Sequence, residues 1–498
     1  MELKQAIEQL KEIEAKLAAY GHAMGVIYLD AVTVAPKGTD EGRGRTLGIL
    51  SGESYKLTAG EEMGQLLDFL DGHEQELDEA TAREAELLRR NYDQLRRIPM
   101  DEYVEYTVLL NEAETVWEKA KKNNDFASFA PYLEKIVETN RRFAGYYDPN
   151  KKPYDALLNE YERGVDMEML DAFFAELRDT IVPLVRRVAA KPRPDDSFMH
   201  KFYPAAGQKL LADKVMEVMG IDREHCGLAE SEHPFTTNFN NRDVRITTHY
   251  YENDLASSMY SVIHEGGHAL YELGIADEYQ YTAVSGGASM GIHESQSRFY
   301  ENIVGRSEEF VSAIFPMIKE IFPEQLAGVG EKEFFRAVNI GEPSLIRTES
   351  DELTYCLHIY IRYELEKRLI SGELSVSELP AEWNRMYREV LGVEVPDDAH
   401  GVLQDSHWAG GSIGYFPSYA LGNAYGAQML SVMKKDVDVK AALEKGDLAP
   451  ITAWLRGHIH KYGSLYDPRE LFERVCGKFD AKYYTDYLTE KFTEIYDL

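Results

Sequence analysis

Along most of the chain, apolar residues recur every three or four positions among Ala, Glu, Lys and Arg, the period of helices with a buried face. Asp78 to Ile98, DEATAREAELLRRNYDQLRRI, is representative: long, rich in good helix formers, and set between short loops. Strand signals concentrate in His233 to Asp254, HPFTTNFNNRDVRITTHYYEND. There Phe235–Phe239 and Val244–Tyr250 are rich in Thr, Phe, Val and Ile, and Asn240, Asn241 and Arg242 supply a turn, which predicts a hairpin. It runs directly into Ser257–Gly274, SSMYSVIHEGGHALYELG, with Asp254 as a candidate N-cap. The pattern predicts a mainly α protein with one small sheet beside that helix.

The same helix holds the first chemical signal. Met259, Val262, Ile263, Leu270 and Tyr271 share one apolar face, yet the middle carries two histidines, a glutamate and Gly266–Gly267. A glycine inside a helix costs roughly 0.5 to 1 kcal/mol relative to alanine. The expected return is close approach, since a backbone or a substrate can pass near a position without a side chain.

Composition narrows the class. The 498 residues allow one large body with a cleft, and a net charge of −32 argues against nucleic acid as the main partner, because phosphate binding needs basic patches. The N-terminus, MELKQAIEQLKEIEAKLAAY, lacks the apolar run of a signal peptide, and no segment approaches the roughly 20 apolar residues of a membrane span. Cys226, Cys356 and Cys476 are widely separated, so neither a disulfide framework nor a thiolate metal site is indicated, and a reducing cytoplasm is expected. The prolines and paired aspartates of Ala189–Ser197, AAKPRPDDS, mark a boundary between lobes 1–195 and 196–498.

His264 and His268 are four residues apart and share a helix face, so both imidazoles can meet one cation. Glu265 projects about 100° around the helix, beside the metal rather than on it. This is HExxH, two zinc ligands and a general base. A catalytic zinc takes a third protein ligand. Tyr271 and Gly274 occupy the positions that continue the metzincin motif, so that class is excluded. Glu294, 26 residues past His268, heads a second helix with Ser285 or Ser289 as cap. It is favoured as third ligand, with His293, about 100° away, as rival.

These segments, with HPF at His233, DVRITT at Asp243, HESQS at His293, IRTESDELTY at Ile346 and HGVLQDSHWAGGSIGYFPSYALG at His400, resemble the carboxypeptidase Taq family, metallopeptidase family 32. The segment from Tyr28, YLDAVTVAPKGTDEGRGRTLGILS, resembles the family's WDxxTxMP region, with Tyr28 in place of tryptophan and Ala35 in place of methionine. The resemblance implies a zinc-dependent carboxypeptidase that removes C-terminal residues one at a time with broad specificity, cobalt being a substitute metal. It also implies the two-lobed helical fold of neurolysin, a deep central cleft and a homodimer. Its ligands correspond to His264, His268 and Glu294, with Glu265 as acid/base. Related helical enzymes use a histidine and a tyrosine near the region of Gly410–Gly414, which points to His407 and Tyr415, with Tyr419 as rival, for the oxyanion.

A substrate's terminal carboxylate suits an arginine fork, and Arg347 and Arg245 are the candidates. Asp351 and Glu352 are expected either to pair with that arginine or to support the metal histidines. Two rival readings stay open: an endo-acting oligopeptidase on the same fold, and a zinc-stabilised binding protein without turnover.

Overall fold

The computed structural model describes residues 2–36 and 38–498. It is 68% helical with one three-stranded sheet, as the hydrophobic pattern predicts. The strands are β1 (Cys226–Glu230), β2 (Thr236–Asn240) and β3 (Asp243–Thr248). β3 is central, with β2 antiparallel on one side and β1 parallel on the other. The hairpin was expected and β1 was not. CGLAE has no β-branched residue and no alternation, so its strand state comes from pairing with β3, as in Leu228 against Ile246.

The histidine helix spans Leu255–Gly274, and the Asp254 carboxylate accepts from the Ser257 N–H at its start. It is buried on more than the one face expected: Ser258, Met259, Val262, Ile263, Gly266, Gly267, Ala269, Leu270 and Tyr271 are all enclosed. Such a helix crosses the interior. The return helix, Met290–Arg298, is capped by Ser289 rather than Ser285 and continues into a wider π-helical turn over Phe299–Val304. The tyrosine helix, Pro417–Met433, starts with proline at its first position, where the missing N–H has no cost.

Two glycines set how closely these three helices approach. A Cβ on Gly267 would lie 2.7 Å from the Gln296 carbonyl oxygen and from Ser297 Cα, so the return helix crosses backbone against backbone there. A Cβ on Gly422 would lie 2.7 Å from Cβ and Cγ of Glu294. The tyrosine helix is thereby pressed against the residue favoured as third ligand.

One apolar cluster takes in buried residues from Ala113 to Tyr496, drawing on both sides of residue 195. A smaller cluster, including Leu10, Leu66, Leu70 and Leu88, joins the N-terminal helices. The first helix, Leu3–Thr33, also reaches the sheet: His22 stacks on Phe239 at 4.5 Å and Tyr28 meets Phe235 edge-on at 5.7 Å. No described helix is long and apolar enough to cross a membrane.

Candidate metal centre

Helical spacing puts His264 and His268 one above the other, and both ring Nε2 atoms face the Glu294 carboxylate, at 3.7 and 3.6 Å from Oε2. One donor atom from each of the three residues lies within 4.8 Å of the others. A tetrahedral site with bonds of about 2.0–2.1 Å spaces its ligand atoms roughly 3.4 Å apart, so these side chains need only a small contraction to hold one ion. Two imidazole nitrogens and a carboxylate oxygen are also the donor set of a catalytic zinc site that leaves a fourth position open.

Charge around the triad is arranged by residues that the sequence reading missed. His264 Nδ1 meets Oε2 of Glu301 at 2.9 Å. Arg298 donates to Glu294 Oε1 at 2.7 Å and to Glu301 Oε2 at 3.1 Å, and Arg306 reaches Glu301 Oε1 at 3.2 Å. Burial would raise the Glu301 carboxyl, but Arg298, His264 and Arg306 hold it far below the usual range. Burial opposes charge on His264 as well, yet Glu294 and Glu301 raise its pKa. A divalent cation answers the same field. Glu294, Arg298 and Glu301 fall at i, i+4 and i+7 of one helical face, a stripe visible in HESQSRFYE; it reads equally well as a surface ion-pair ladder.

Glu265 is buried and reaches β2, where its Oε2 accepts from the Thr236 hydroxyl at 2.6 Å. Burial lifts its carboxyl above the ordinary value, partly offset by His264 and Thr236. Thr236 lies just after the HPF segment, and nothing local to it marks the contact. His293 is not one of the converging donors but contacts His268 from behind: its Nδ1 lies 2.7 Å from His268 Nδ1 and its Nε2 2.6 Å from Glu272.

The second group of candidates adjoins the first through aromatic and guanidinium contacts. Arg298 lies over the Tyr355 ring at 4.5 Å, and the Tyr355 hydroxyl accepts from Arg347 at 3.1 Å. The Arg347 guanidinium lies 5.1 Å from the Tyr419 ring centre. Tyr419 packs edge-on to Tyr415 at 5.1 Å, and its hydroxyl is 3.2 Å from His407 Nε2. Burial pushes the His407 imidazole down to about 4, against the pull of Asp405, so it is neutral at pH 7. Among the described residues its Nδ1 is buried without a partner.

Arg347 is itself only 5% exposed and bonded to Asp405, with Nε at 3.1 Å and Nη2 at 2.8 Å from Oδ1. Arg245 is not brought to the triad. It pairs across the sheet with Thr237, on the face opposite Thr236 and Asn238, and forms an ion pair with Asp243 at 2.9 Å. Asp351 and Glu352 take neither expected role. Asp351 accepts from the Leu353 and Thr354 N–H groups, and Glu352 binds Lys491 and Tyr487. The partner of Arg347 is Asp405, and the carboxylate behind His264 is Glu301.

A model of the carboxypeptidase Taq (M32) metallopeptidases matches residues 9–492. The chain belongs to that family. Carboxypeptidase 1 of Bacillus subtilis is 42% identical over 499 residues, covering 100% of both chains. Thermostable carboxypeptidase 1 of Thermus thermophilus is 37% identical over 506 residues, covering 99% of each. The crystal structure of the M32 carboxypeptidase from Deinococcus radiodurans superposes with a TM-score of 0.96 at 36% identity, over 99% of this chain and 100% of that one. This M32 protein is therefore an enzyme, a carboxypeptidase acting on peptides, and its family implies a metal ion. The His264, His268 and Glu294 donors suit such an ion.

Proposed function

We propose that the enzyme is a zinc-dependent carboxypeptidase of broad specificity that releases C-terminal residues from peptides with a free terminus, with Glu265 as general base. The observation that carries this reading is the convergence of the His264, His268 and Glu294 donors within 4.8 Å, with Glu265 adjacent and buried. Imidazole and carboxylate ligands favour zinc, with cobalt able to replace it. The unpaired Cys226, Cys356 and Cys476 support a reducing compartment, the cytoplasm, and the family resemblance supports a homodimer.

When bound, the metal would polarise the scissile carbonyl and bring the pKa of a water to about 7. Glu265 accepts the proton of the attacking water and returns it to the leaving amine. The buried environment that lifts its carboxyl brings its proton affinity nearer the working pH. The developing oxyanion needs a donor. If His407 Nε2–H donates to Tyr419, the orphaned Nδ1 is a bare lone pair, cheaper to bury than an unpaired N–H, and the Tyr419 hydroxyl proton is left to Tyr415 or the substrate. That supports Tyr419 as the oxyanion donor, with Tyr415 packed beside it. Arg347, next to Tyr355 and Tyr419, is better supported than Arg245 as the carboxylate anchor.

The test is a time course on one free-ended peptide and its C-terminally amidated twin. The carboxypeptidase releases single residues from the first and leaves the second intact. An endo-acting oligopeptidase cuts both.

A further inference from the structure

The two histidines of the triad are anchored differently, and this rests on the metal reading above. His264 Nδ1 meets Glu301, a carboxylate neutralised by Arg298 and Arg306. His268 Nδ1 meets another imidazole, His293 Nδ1 at 2.7 Å. His293 Nε2 lies 2.6 Å from Glu272 Oε1, and Glu272 Oε2 accepts from Asn238 Nδ2 at 2.7 Å. Glu272 is 4% exposed, and among the described residues its ion-pair partner is His293 alone.

Only one placement of protons on neutral rings satisfies every link. The Glu272 carboxylate can only accept, so His293 carries its proton on Nε2 and leaves Nδ1 bare. Bare Nδ1 must accept, so His268 carries its proton on Nδ1 and leaves Nε2 bare. That Nε2 is the atom facing Glu294. The geometry points to Glu272 and His293 as positioning residues, a relay that fixes His268 in its metal-binding tautomer and orientation.

The surroundings fit this assignment. A Cβ on Gly287 would lie 2.7 Å from His293 Cδ2, so the glycine leaves room for the ring, and Tyr271 packs against it at 4.9 Å. A buried carboxylate with no arginine or lysine beside it is costly unless positive charge lies nearby, and a divalent ion beyond His268 supplies it. Asn238 stands two residues from Thr236 on one face of β2, so the same strand contacts the relay and Glu265.

The two nitrogens of His293 can be replaced separately. The amide oxygen of asparagine falls near ring Nδ1, and the amide nitrogen of glutamine near Nε2. His293→Asn keeps an acceptor for His268, whereas His293→Gln keeps the link to Glu272 and removes that acceptor. The experiment measures the zinc dissociation constant by chelator competition, and the visible spectrum of the cobalt-loaded protein, for the full-length chain and for His293→Asn, His293→Gln and Glu272→Gln. The expected result is wild-type binding at one zinc per chain, weakening about 10- to 100-fold in His293→Gln and about 10-fold in Glu272→Gln, with His293→Asn within about threefold of wild type. The cobalt bands should shift in the two weakened variants. Equal affinities and unchanged spectra in all three variants overturn the relay and leave the metal reading intact. A wild-type chain that binds no zinc overturns both.

Discussion

The Arg347 guanidinium already serves Asp405 and the Tyr355 hydroxyl, so its position is held before any substrate arrives. Its charge is shared: Asp405 also pairs with Arg362, and the two arginines hold that carboxyl far below its usual range against burial. A fork held in this way loses little side-chain entropy on gripping a terminal carboxylate. Arg347→Ala should lower kcat/KM on a free-ended peptide by about 30-fold or more, since truncating one side of a buried charge pair costs roughly 2–5 kcal/mol. Unchanged steady-state kinetics would exclude the role. Nothing near Arg347 in sequence identifies its partner. Asp351 and Glu352 were the acidic residues at hand, but their carboxylates turn to local N–H groups and to Lys491, while Asp405 arrives from a distant loop.

Between elements, the site depends on close crossings and on buried carboxyls that tie loops to helices. Gly267→Leu forces a side chain into the backbone of the return helix, whereas a Cβ on Gly266 would meet the flexible end of Met219 at 2.7 Å. Overpacking costs typically about 1–3 kcal/mol, so Gly267→Leu should lose at least that in denaturant unfolding despite leucine's better helix propensity. Gly266→Ala should lose clearly less, and equal losses would refute the backbone-contact account.

Glu366, on the helix Tyr355–Ser371, accepts from Trp408 Nε1 at 2.7 Å, the Gly414 N–H at 2.9 Å and the Tyr154 hydroxyl at 2.8 Å. It thereby ties down the loop between His407 and Tyr415. Burial pushes its carboxyl up to about 7, against those donors. A folded-state pKa above the unfolded one stabilises below the unfolded value, and that stability is lost as pH rises through the folded value. Here the window runs from the usual carboxyl range to about 7. Across it the wild type should lose stability relative to Glu366→Gln by up to the order of 3 kcal/mol, on top of any constant offset from the amide. Parallel stability curves at pH 5 and pH 8 would contradict this.

At the scale of the whole molecule, the legible parts were those set by local chemistry. Helical periodicity, the Asp254 cap, the proline opening the tyrosine helix and the HExxH spacing are each a matter of a few neighbouring residues. What stayed hidden is tertiary. β1 exists because β3 pairs with it, Thr236 and Asn238 matter because β2 lies on the histidine helix, and Glu301 matters because a π-helical turn carries it to His264. Gly267 was legible as a question, and Gln296–Ser297 is its answer. In a chain of net charge −32, the surroundings of the triad concentrate Arg298, Arg306 and Arg347.

In the proposed mechanism His264, His268 and Glu294 hold a catalytic ion and Glu265 moves the protons. The most direct measurement is zinc content together with release of C-terminal residues for wild type and Glu265→Gln. One zinc per chain is expected in both, with hydrolysis in the variant reduced by roughly 10²–10⁴-fold or more, the usual worth of a general base. A zinc-loaded Glu265→Gln enzyme that turns over at the wild-type rate would contradict it.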